Sequence, residues 1–188
     1  MIGARWACAS TAPSRAFKTW ITEGGIRCPC IVRYPPFQAK NSTITHSFTT
    51  VMDILPTILE LAGVQHPGTE FRNRQIVKPR GKSWVSHLSS SDYSTSTVHG
   101  EDYHVHGWEL FGQRAIREGK WKAIWISKPR GKDDWELYDL GKDPAEVDDL
   151  ADKEEKVLER LVAHWEEYFA ETGMVQTPAA GDVKYGPQ

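Results

Sequence analysis

The 188-residue sequence lacks any long apolar run and any strong excess of charge of one sign. No stretch approaches the roughly 18 consecutive apolar residues that a membrane-spanning helix requires, which excludes such a helix. With 23 Lys and Arg against 25 Asp and Glu, the net charge of −2 creates no long-range field for nucleic acid or anionic lipid. We therefore expect no nucleic acid and no membrane among its partners.

Cysteine is scarce, and its spacing excludes two common uses. The three residues, Cys8, Cys28 and Cys30, are odd in number and contain no C-x-x-C pair. Neither a disulfide framework nor a zinc site is therefore indicated. Free cysteine behaves as a small apolar side chain, so we expect all three to be buried. The first residues carry no signal-peptide core, which favours a cytoplasmic location if Met1 is the true start.

The short motifs of several enzyme classes are also missing. The sequence contains no G-x-G-x-x-G, G-x-x-x-x-G-K-S/T, G-x-S-x-G or H-E-x-x-H pattern. A group of metal-capable side chains does occur at His99, Glu101, Asp102, His104 and His106. Imidazole with carboxylate suits transition metals, but this spacing matches no defined coordination geometry. We interpret the group as part of a polar loop and assign no metal ligand.

The C-terminal half predicts a helix packed on an antiparallel sheet, which is a stable two-layer unit. Asp152 and Glu155 resemble a capping pair, an apolar helical stripe follows them, and Gly173 closes it. Three β-prone runs separated by turn residues precede the helix and are typical of a meander. They are Arg114–Arg117, Trp121–Ile126 and Trp135–Tyr138.

The N-terminal part carries the signals of an α/β layer. Ile26–Arg33 is a short, mostly apolar run bounded by glycine and proline, which predicts a buried strand. Thr50–Gly63 has apolar side chains at helical spacing, and Asp53 is expected to cap the helix. Gln65–Tyr103 is rich in Ser, Pro, Gly and His with little periodicity, so we expect a long loop region there.

Four ordered blocks carry a resemblance to one family. They are Lys18–Pro29, Met52–Gly63, Arg114–Lys122 and Trp135–Leu140. In this order they resemble the K-x-x-x-x-E-G-G-I/V-R-x-P, D-I/L-x-P-T-I/L-L-x-L-A-G, R-A-I/V-R-x-G-x-W-K and W-E-L-Y-D-L blocks of type I sulfatases, most of all those of arylsulfatases. The resemblance runs from about Trp6 to Phe169.

The resemblance implies the C-terminal portion of an alkaline-phosphatase-like protein. The expected fold class is an α/β fragment, the C-terminal edge of the large sheet, followed by an α+β subdomain of antiparallel strands packed by a C-terminal helix. In the family this smaller sheet has four strands. We expect a remnant of the catalytic α/β domain at 1–66, a loop-rich connection at 67–106, sheet plus helix at 107–173 and a disordered tail at 174–188.

Lys18 is the one active-site residue that the resemblance places in this chain. From the residues alone it is a solvated surface lysine, whereas the resemblance implies a catalytic and substrate-binding lysine that holds a sulfate oxygen. The formylglycine nucleophile and the calcium ligands of the family precede this block, so both groups are implied for the full-length family only. Thr11–Arg15 has threonine where the C-x-P-S-R signature has cysteine, and we interpret that similarity as a coincidence.

The resulting functional hypothesis is the C-terminal part of an arylsulfatase-like sulfuric ester hydrolase. Because nucleophile and metal ligands are absent, we expect the chain alone to be inactive, and to act on a sulfate ester only when completed by the N-terminal part. One alternative is a non-catalytic binding or interaction module, and a phosphoesterase of the same superfamily fits the lysine block less well. The apolar strand and helix, without a parent sheet, predict self-association.

Overall fold

The computed structural model describes residues 3–40, 43–90, 92, 96–100 and 102–174. The chain divides into two compact units, the sheet unit (1–30 with 102–188) and the second unit (31–101). The disordered tail predicted for 174–188 lies outside the described residues except for Met174. The domain boundaries expected from the sequence stay a prediction.

The described residues contain a run of four strands, with most of the helices before it and the last helix after it. The helices are α1 (Ala4–Thr11), α2 (Glu23–Ile26), α3 (Ile54–Leu61), α4 (Val85–Ser89) and α5 (Glu155–Thr172), with short 3-10 helices at Pro35–Lys40 and Val51–Asp53. The strands are β1 (Glu70–Phe71), β2 (Arg74–Gln75), β3 (Val105–Leu110), β4 (Gln113–Glu118), β5 (Trp121–Trp125) and β6 (Trp135–Asp139).

The sheet unit contains a four-stranded antiparallel meander in the order β3-β4-β5-β6. The three predicted strands are confirmed, and β3 joins β4 through a tight turn in which Phe111 and Gly112 have φ of 54° and 79°. Periodicity missed β3 because His106, Gly107 and Glu109 interrupt its apolar positions. The four strands that the family resemblance implied are therefore all present.

Both faces of the meander are covered. On one face, Leu161 and Trp165 of α5 pack against one buried side chain from each of β4, β5 and β6, namely Ile116, Ala123 and Leu137. On the other face, Ile21 packs against a second buried cluster, namely Ala115, Ile124, Ile126 and Tyr138. The N-terminal segment of the chain is thus fixed to the sheet on the face opposite α5.

The C-terminal helix is confirmed, but its predicted start is not. It begins at Glu155 with Glu154 as the N-cap, and no side chain caps its first amides. Asp152 lies in the preceding turn, so the predicted capping pair with Glu155 is wrong. The stop at Gly173 is confirmed, because this residue has the left-handed φ of 64° that glycine adopts without strain.

The buried strand predicted at Ile26–Arg33 is wrong. Helix α2 ends at Ile26, residues 27–34 have no regular secondary structure, and Ile31 is 95% exposed. Among the described residues no strand pairs with this segment. An apolar run becomes a strand only when neighbouring strands satisfy its amides and carbonyls. The described residues therefore contain no strand of the α/β sheet edge that the predicted fold class includes. The other part of that prediction, an antiparallel sheet with a C-terminal helix, is confirmed.

The helix predicted at Thr50–Gly63 is confirmed in the second unit as a 3-10 turn followed by α3. Its start is a capping box, in which Thr50 Oγ1 accepts from the Met52 amide and Asp53 Oδ2 accepts from the Thr50 amide. The apolar stripe is largely exposed, with Val51 at 79% and Ile58 at 56%. The long loop predicted after it contains the two-residue strands β1 and β2 and the short helix α4.

All three cysteines are exposed, which contradicts the expected burial. Cys8 lies on α1, which has no buried residue, while Cys28 and Cys30 flank Pro29 in the irregular segment after α2. Thiols become buried only where a packed element covers them, and no described element covers these. No described helix is both long and apolar enough to cross a membrane.

Trp165→Ala tests the packing of α5 on the meander. Trp165 is 2% exposed, so we expect its truncation to lower the free energy of unfolding by about 3–5 kcal/mol. Trp6→Ala is the matched control, because Trp6 is 75% exposed, and it should change stability by less than about 0.5 kcal/mol. Denaturant unfolding measures both, and equal effects of the two substitutions would contradict the described core.

Candidate functional site: the Lys18 turn

Lys18 lies at the exposed corner of a tight turn. The Trp20 amide donates to the Phe17 carbonyl at 3.1 Å, and this bond closes a four-residue turn around Lys18 and Thr19. Lys18 itself is exposed, and the next residue, Thr19, has a left-handed φ of 76°. The ammonium group is therefore available to solvent, while the backbone beneath it has a defined shape.

Gln113 fixes this turn to the sheet. Its side chain is 2% exposed at the start of β4, and it binds backbone groups on either side of Trp20. The Nε2 group donates to the Thr19 carbonyl at 3.0 Å, and Oε1 accepts from the Ile21 amide at 3.4 Å. One buried amide side chain thus replaces the hydrogen bonds that this irregular segment would otherwise make with water.

The two glycines of the Glu23-Gly24-Gly25 block allow α2 to pack closely against the segment that contains the turn. The Gly24 amide donates to the Arg15 carbonyl at 2.9 Å, and Thr22 Oγ1 donates to the same carbonyl at 2.7 Å. A Cβ at Gly24 would lie 2.2 Å from the Ala16 carbonyl oxygen, and one at Gly25 would lie 2.0 Å from that of Trp20. Only glycine allows this close approach of α2 to the segment that carries Lys18.

A buried ion triad holds α2 against the sheet. Lys122 Nζ, fully buried on β5, lies 2.9 Å from Glu23 Oε1 and 2.7 Å from Glu146 Oε1. The other oxygen of Glu146 accepts from the Glu23 amide at 2.8 Å. Burial raises the pKa of Glu146, and the adjacent Lys122 ammonium partly offsets this rise. Three blocks far apart in the sequence therefore meet at one charged cluster.

Arg15 makes a second polar anchor between the same segment and β6. Its guanidinium donates to the Tyr138 hydroxyl at 3.0 Å and lies 3.5 Å from Glu136 Oε2, which also accepts from Tyr138 at 2.6 Å. Burial and the neighbouring carboxylate raise the pKa of Tyr138 well above its ordinary value. Thr11 Oγ1 donates to the Ala16 carbonyl at 2.6 Å. The Thr11–Arg15 segment therefore makes structural contacts.

The histidine group singled out in the sequence is divided between the two units. His99 pairs with Asp53 in the second unit, where Nε2 and Oδ2 are 2.9 Å apart and both side chains are buried. His104 and His106 belong to the sheet unit, and their rings are 5.8 Å apart between centroids. His106 lies within β3, so the interpretation of the group as a loop is wrong at this residue. Glu101 lies outside the described residues.

Asp53 organises the start of α3 in the second unit. Burial alone would raise its pKa, but hydrogen bonds from His99 and from the Thr50 and Lys82 amides outweigh burial and hold the pKa below its ordinary value. Its predicted role as the cap of the α3 amides is wrong, because its side chain accepts no α3 amide; Asp53 is the N3 residue of the capping box whose N-cap is Thr50. Among the described residues, no group of three or more His, Cys, Asp or Glu side chains could hold a metal ion.

The family model described as N-sulphoglucosamine sulphohydrolase, C-terminal, matches residues 16–171, a range that contains the Lys18 turn and all three members of the triad. The chain belongs to this sulfatase family. The resemblance predicted from the four sequence blocks is thereby confirmed.

Individual proteins are similar to all or part of this chain. The chain is 53% identical over 180 residues to an uncharacterized sulfatase of Schizosaccharomyces pombe. This alignment covers 94% of this chain and 31% of that protein. A steryl-sulfatase of Mus musculus is 41% identical over 46 residues, 24% of this chain and 7% of that protein. A Bacteroides thetaiotaomicron protein solved in work on the metabolism of multiple glycosaminoglycans superposes with a TM-score of 0.62 at 25% identity, over 84% of this chain and 32% of that one.

The sulfatase region described here thus spans less than a third of the S. pombe protein. Its sequence motifs predicted Lys18 but not the residues that position it, namely Gln113, Lys122 and Glu146. Lys122 could have been singled out from the sequence, because it is a charged residue between two tryptophans in an otherwise apolar strand. Its partners could not be chosen in advance among 25 acidic residues. The sulfate-binding role of Lys18 stays a prediction.

Lys122→Met tests the triad. The substitution keeps the volume but leaves two buried carboxylates without their cation, so we expect a loss of about 3–5 kcal/mol of unfolding free energy at neutral pH. Because unpaired burial raises a carboxyl pKa above its ordinary value near 4.5, the loss should shrink as the pH falls and the carboxylates take up protons.

Lys120→Met is the matched control for this substitution. Lys120 pairs with Asp139, but its side chain is 52% exposed, so the expected loss is below about 1 kcal/mol. Denaturant unfolding at several pH values measures both variants. A Lys122→Met variant as stable as Lys120→Met would show that the triad contributes no net stability.

Proposed function

We propose that this chain is the C-terminal part of an arylsulfatase-like sulfate ester hydrolase, in which Lys18 holds an oxygen of the transferring sulfate. The observation that carries the proposal is an exposed ammonium on a backbone fixed by Gln113, Gly24 and Gly25. A fixed cation stabilises the charge that develops on the transferring group without having to reorganise during the reaction. Family membership supports the reaction class, and the specificity for aryl esters is our proposal.

The remaining chemistry must come from elsewhere. Sulfuryl transfer requires a nucleophile, a cation that polarises the sulfate and a proton source for the leaving group. The described residues fit neither the formylglycine nor the calcium implied for the full-length family. Thr11 stands where the nucleophile signature has cysteine, its hydroxyl is hydrogen-bonded to backbone carbonyls, and the described acidic residues form no metal cluster. We therefore assign to this chain only the positioning of sulfate by Lys18.

The 188-residue chain alone should hydrolyse no sulfate ester. Release of 4-nitrophenol from 4-nitrophenyl sulfate, measured with and without added calcium, should equal the uncatalysed rate. The Lys18→Ala variant serves as the comparison. Turnover that depends on a metal ion and is lost in Lys18→Ala would contradict this expectation.

A chimera tests the role of Lys18 in a longer protein. The matching region of the S. pombe relative would be replaced by this chain, which the 53% identity makes structurally conservative. We expect the chimera to hydrolyse an aryl sulfate, and Lys18→Ala to lower kcat by roughly 100-fold to 1000-fold, as for the loss of one preorganised donor. Lys156→Ala, at an exposed position of α5, is the charge control. An unchanged kcat in Lys18→Ala would refute the proposed role.

An interaction module is the second candidate, and the exposed apolar side chains of the second unit allow a test that discriminates it from a hydrolase fragment. The second unit exposes large apolar side chains, among them Ile31 at 95% and Val51 at 79%. As part of a hydrolase, this surface should drive self-association of the chain, because patches of this kind mark missing contacts. Sedimentation velocity measures the outcome. A monomer with one cooperative unfolding transition would favour the module.

A further inference from the structure

We propose that the hairpin between β5 and β6 provides a second anion-binding position beside the Lys18 turn, formed by Arg130 and Lys128. This position would select sulfate esters that carry a second negative group over esters with a single sulfate. The proposal rests on the proposed function, because it assumes that Lys18 holds the reacting sulfate.

Arg130 lies next to the Lys18 turn. Its guanidinium carbon is 5.8 Å from the centroid of the Trp20 ring, and Trp20 is the residue that closes the turn. One residue, Thr19, separates Lys18 from Trp20, which limits their Cα distance to about 7 Å. The proposal assumes that the side chains of Lys18 and Arg130 extend toward one small ligand from these neighbouring positions.

The hairpin that carries Arg130 has a fixed shape. The amides of Arg130 and Gly131 both donate to the Ser127 carbonyl, at 3.1 and 3.0 Å, and the Asp133 amide donates to the Ile126 carbonyl at 2.9 Å. A Cβ at Gly131 would lie 2.3 Å from the Ile126 carbonyl oxygen, so the loop is closely packed on the strand end. Binding at Arg130 therefore requires little ordering of the backbone, which favours affinity.

Two of the three cations in this hairpin remain available for a ligand. Lys132 is engaged with Asp149 and lies 3.9 Å from Glu136. Lys128 and Arg130 are exposed, and no carboxylate of the described residues lies within ion-pair distance of either.

Two carboxylates share the hairpin with these cations. Asp133 and Asp134 follow Lys132 in the sequence and are exposed. Asp134 Oδ1 accepts from the Trp135 amide at 2.8 Å, at the start of β6. These two acids therefore belong to the end of the hairpin that leads into β6, while Lys128 and Arg130 lie on the side that leaves β5.

The chemistry of the two positions is complementary. Lys18 acts as a point charge on one sulfate, whereas the planar guanidinium of Arg130 matches two oxygens of a sulfate or carboxylate. Contact with the Trp20 ring restricts the guanidinium. An ester with one anionic group binds Lys18 alone. An ester with a second anionic group on the same scaffold binds both Lys18 and the second anion position.

Binding of two matched probes to the 188-residue chain tests the proposal. Phenyl sulfate carries one sulfate, and resorcinol bis-sulfate adds a second sulfate to the same ring. Dissociation constants come from NMR titrations that follow the Trp20 indole N–H at low ionic strength, where surface charges are least screened. We expect the bis-sulfate to bind roughly threefold to tenfold more tightly.

Charge-matched variants show which residues cause the preference for the bis-sulfate over phenyl sulfate. Arg130→Gln with Lys128→Gln should reduce it to less than about twofold, because the bis-sulfate should lose much more affinity than phenyl sulfate does. The control, Lys153→Gln with Lys156→Gln, removes the same charge at exposed positions near the start of α5, on the opposite face of the sheet, and should retain the preference. Lys18→Ala should weaken both probes.

The outcomes separate the two proposals. A preference that survives Arg130→Gln with Lys128→Gln, or that is lost equally in the control, would overturn the second anion position while leaving the role of Lys18 intact. Phenyl sulfate binding that is insensitive to Lys18→Ala would instead refute the proposed function. No saturable shift with either probe would contradict both.

Discussion

The buried contact of Lys122 with Glu23 and Glu146 is the interaction on which the rest of the sheet unit depends. An ammonium with no exposed surface is tolerated only with well-placed acceptors, and here it has two, at 2.9 and 2.7 Å. Glu23 lies in the short helix beneath the Lys18 turn, and Glu146 follows the last strand. The triad therefore joins the N-terminal segment, the middle of the meander and the segment before α5 in a single cluster.

This cluster explains why segments that are widely spaced in the sequence lie together in space. Four-residue α2 is too short to be stable by itself, and its glycines lie against the backbone of the Lys18 segment with no room for a Cβ. Gln113 then fixes Thr19 and Ile21 from the sheet side. The result is a rigid turn that carries Lys18, to which the proposed function assigns the binding of a sulfate oxygen.

The sequence correctly predicted the elements that bury their apolar side chains against other parts of this chain. Strands β4 to β6 and helix α5 bury their apolar faces against one another, so periodicity was sufficient for them. It failed at Ile26–Arg33, because an apolar run alone does not supply the neighbouring strands that it needs. Lys18 was predicted from its motif, whereas Gln113 and the triad are long-range contacts that no local pattern specifies.

Amide hydrogen exchange in Lys122→Met tests the central claim most directly, because it reports on the Lys18 segment separately from the sheet. If the triad holds α2 in place, the amides of Gly24 and Trp20 should exchange much faster in the variant, while that of Ile116 in β4 stays protected. Unchanged protection at Gly24 and Trp20, with the triad removed, would show that the Lys18 turn is held by other contacts and would contradict the account.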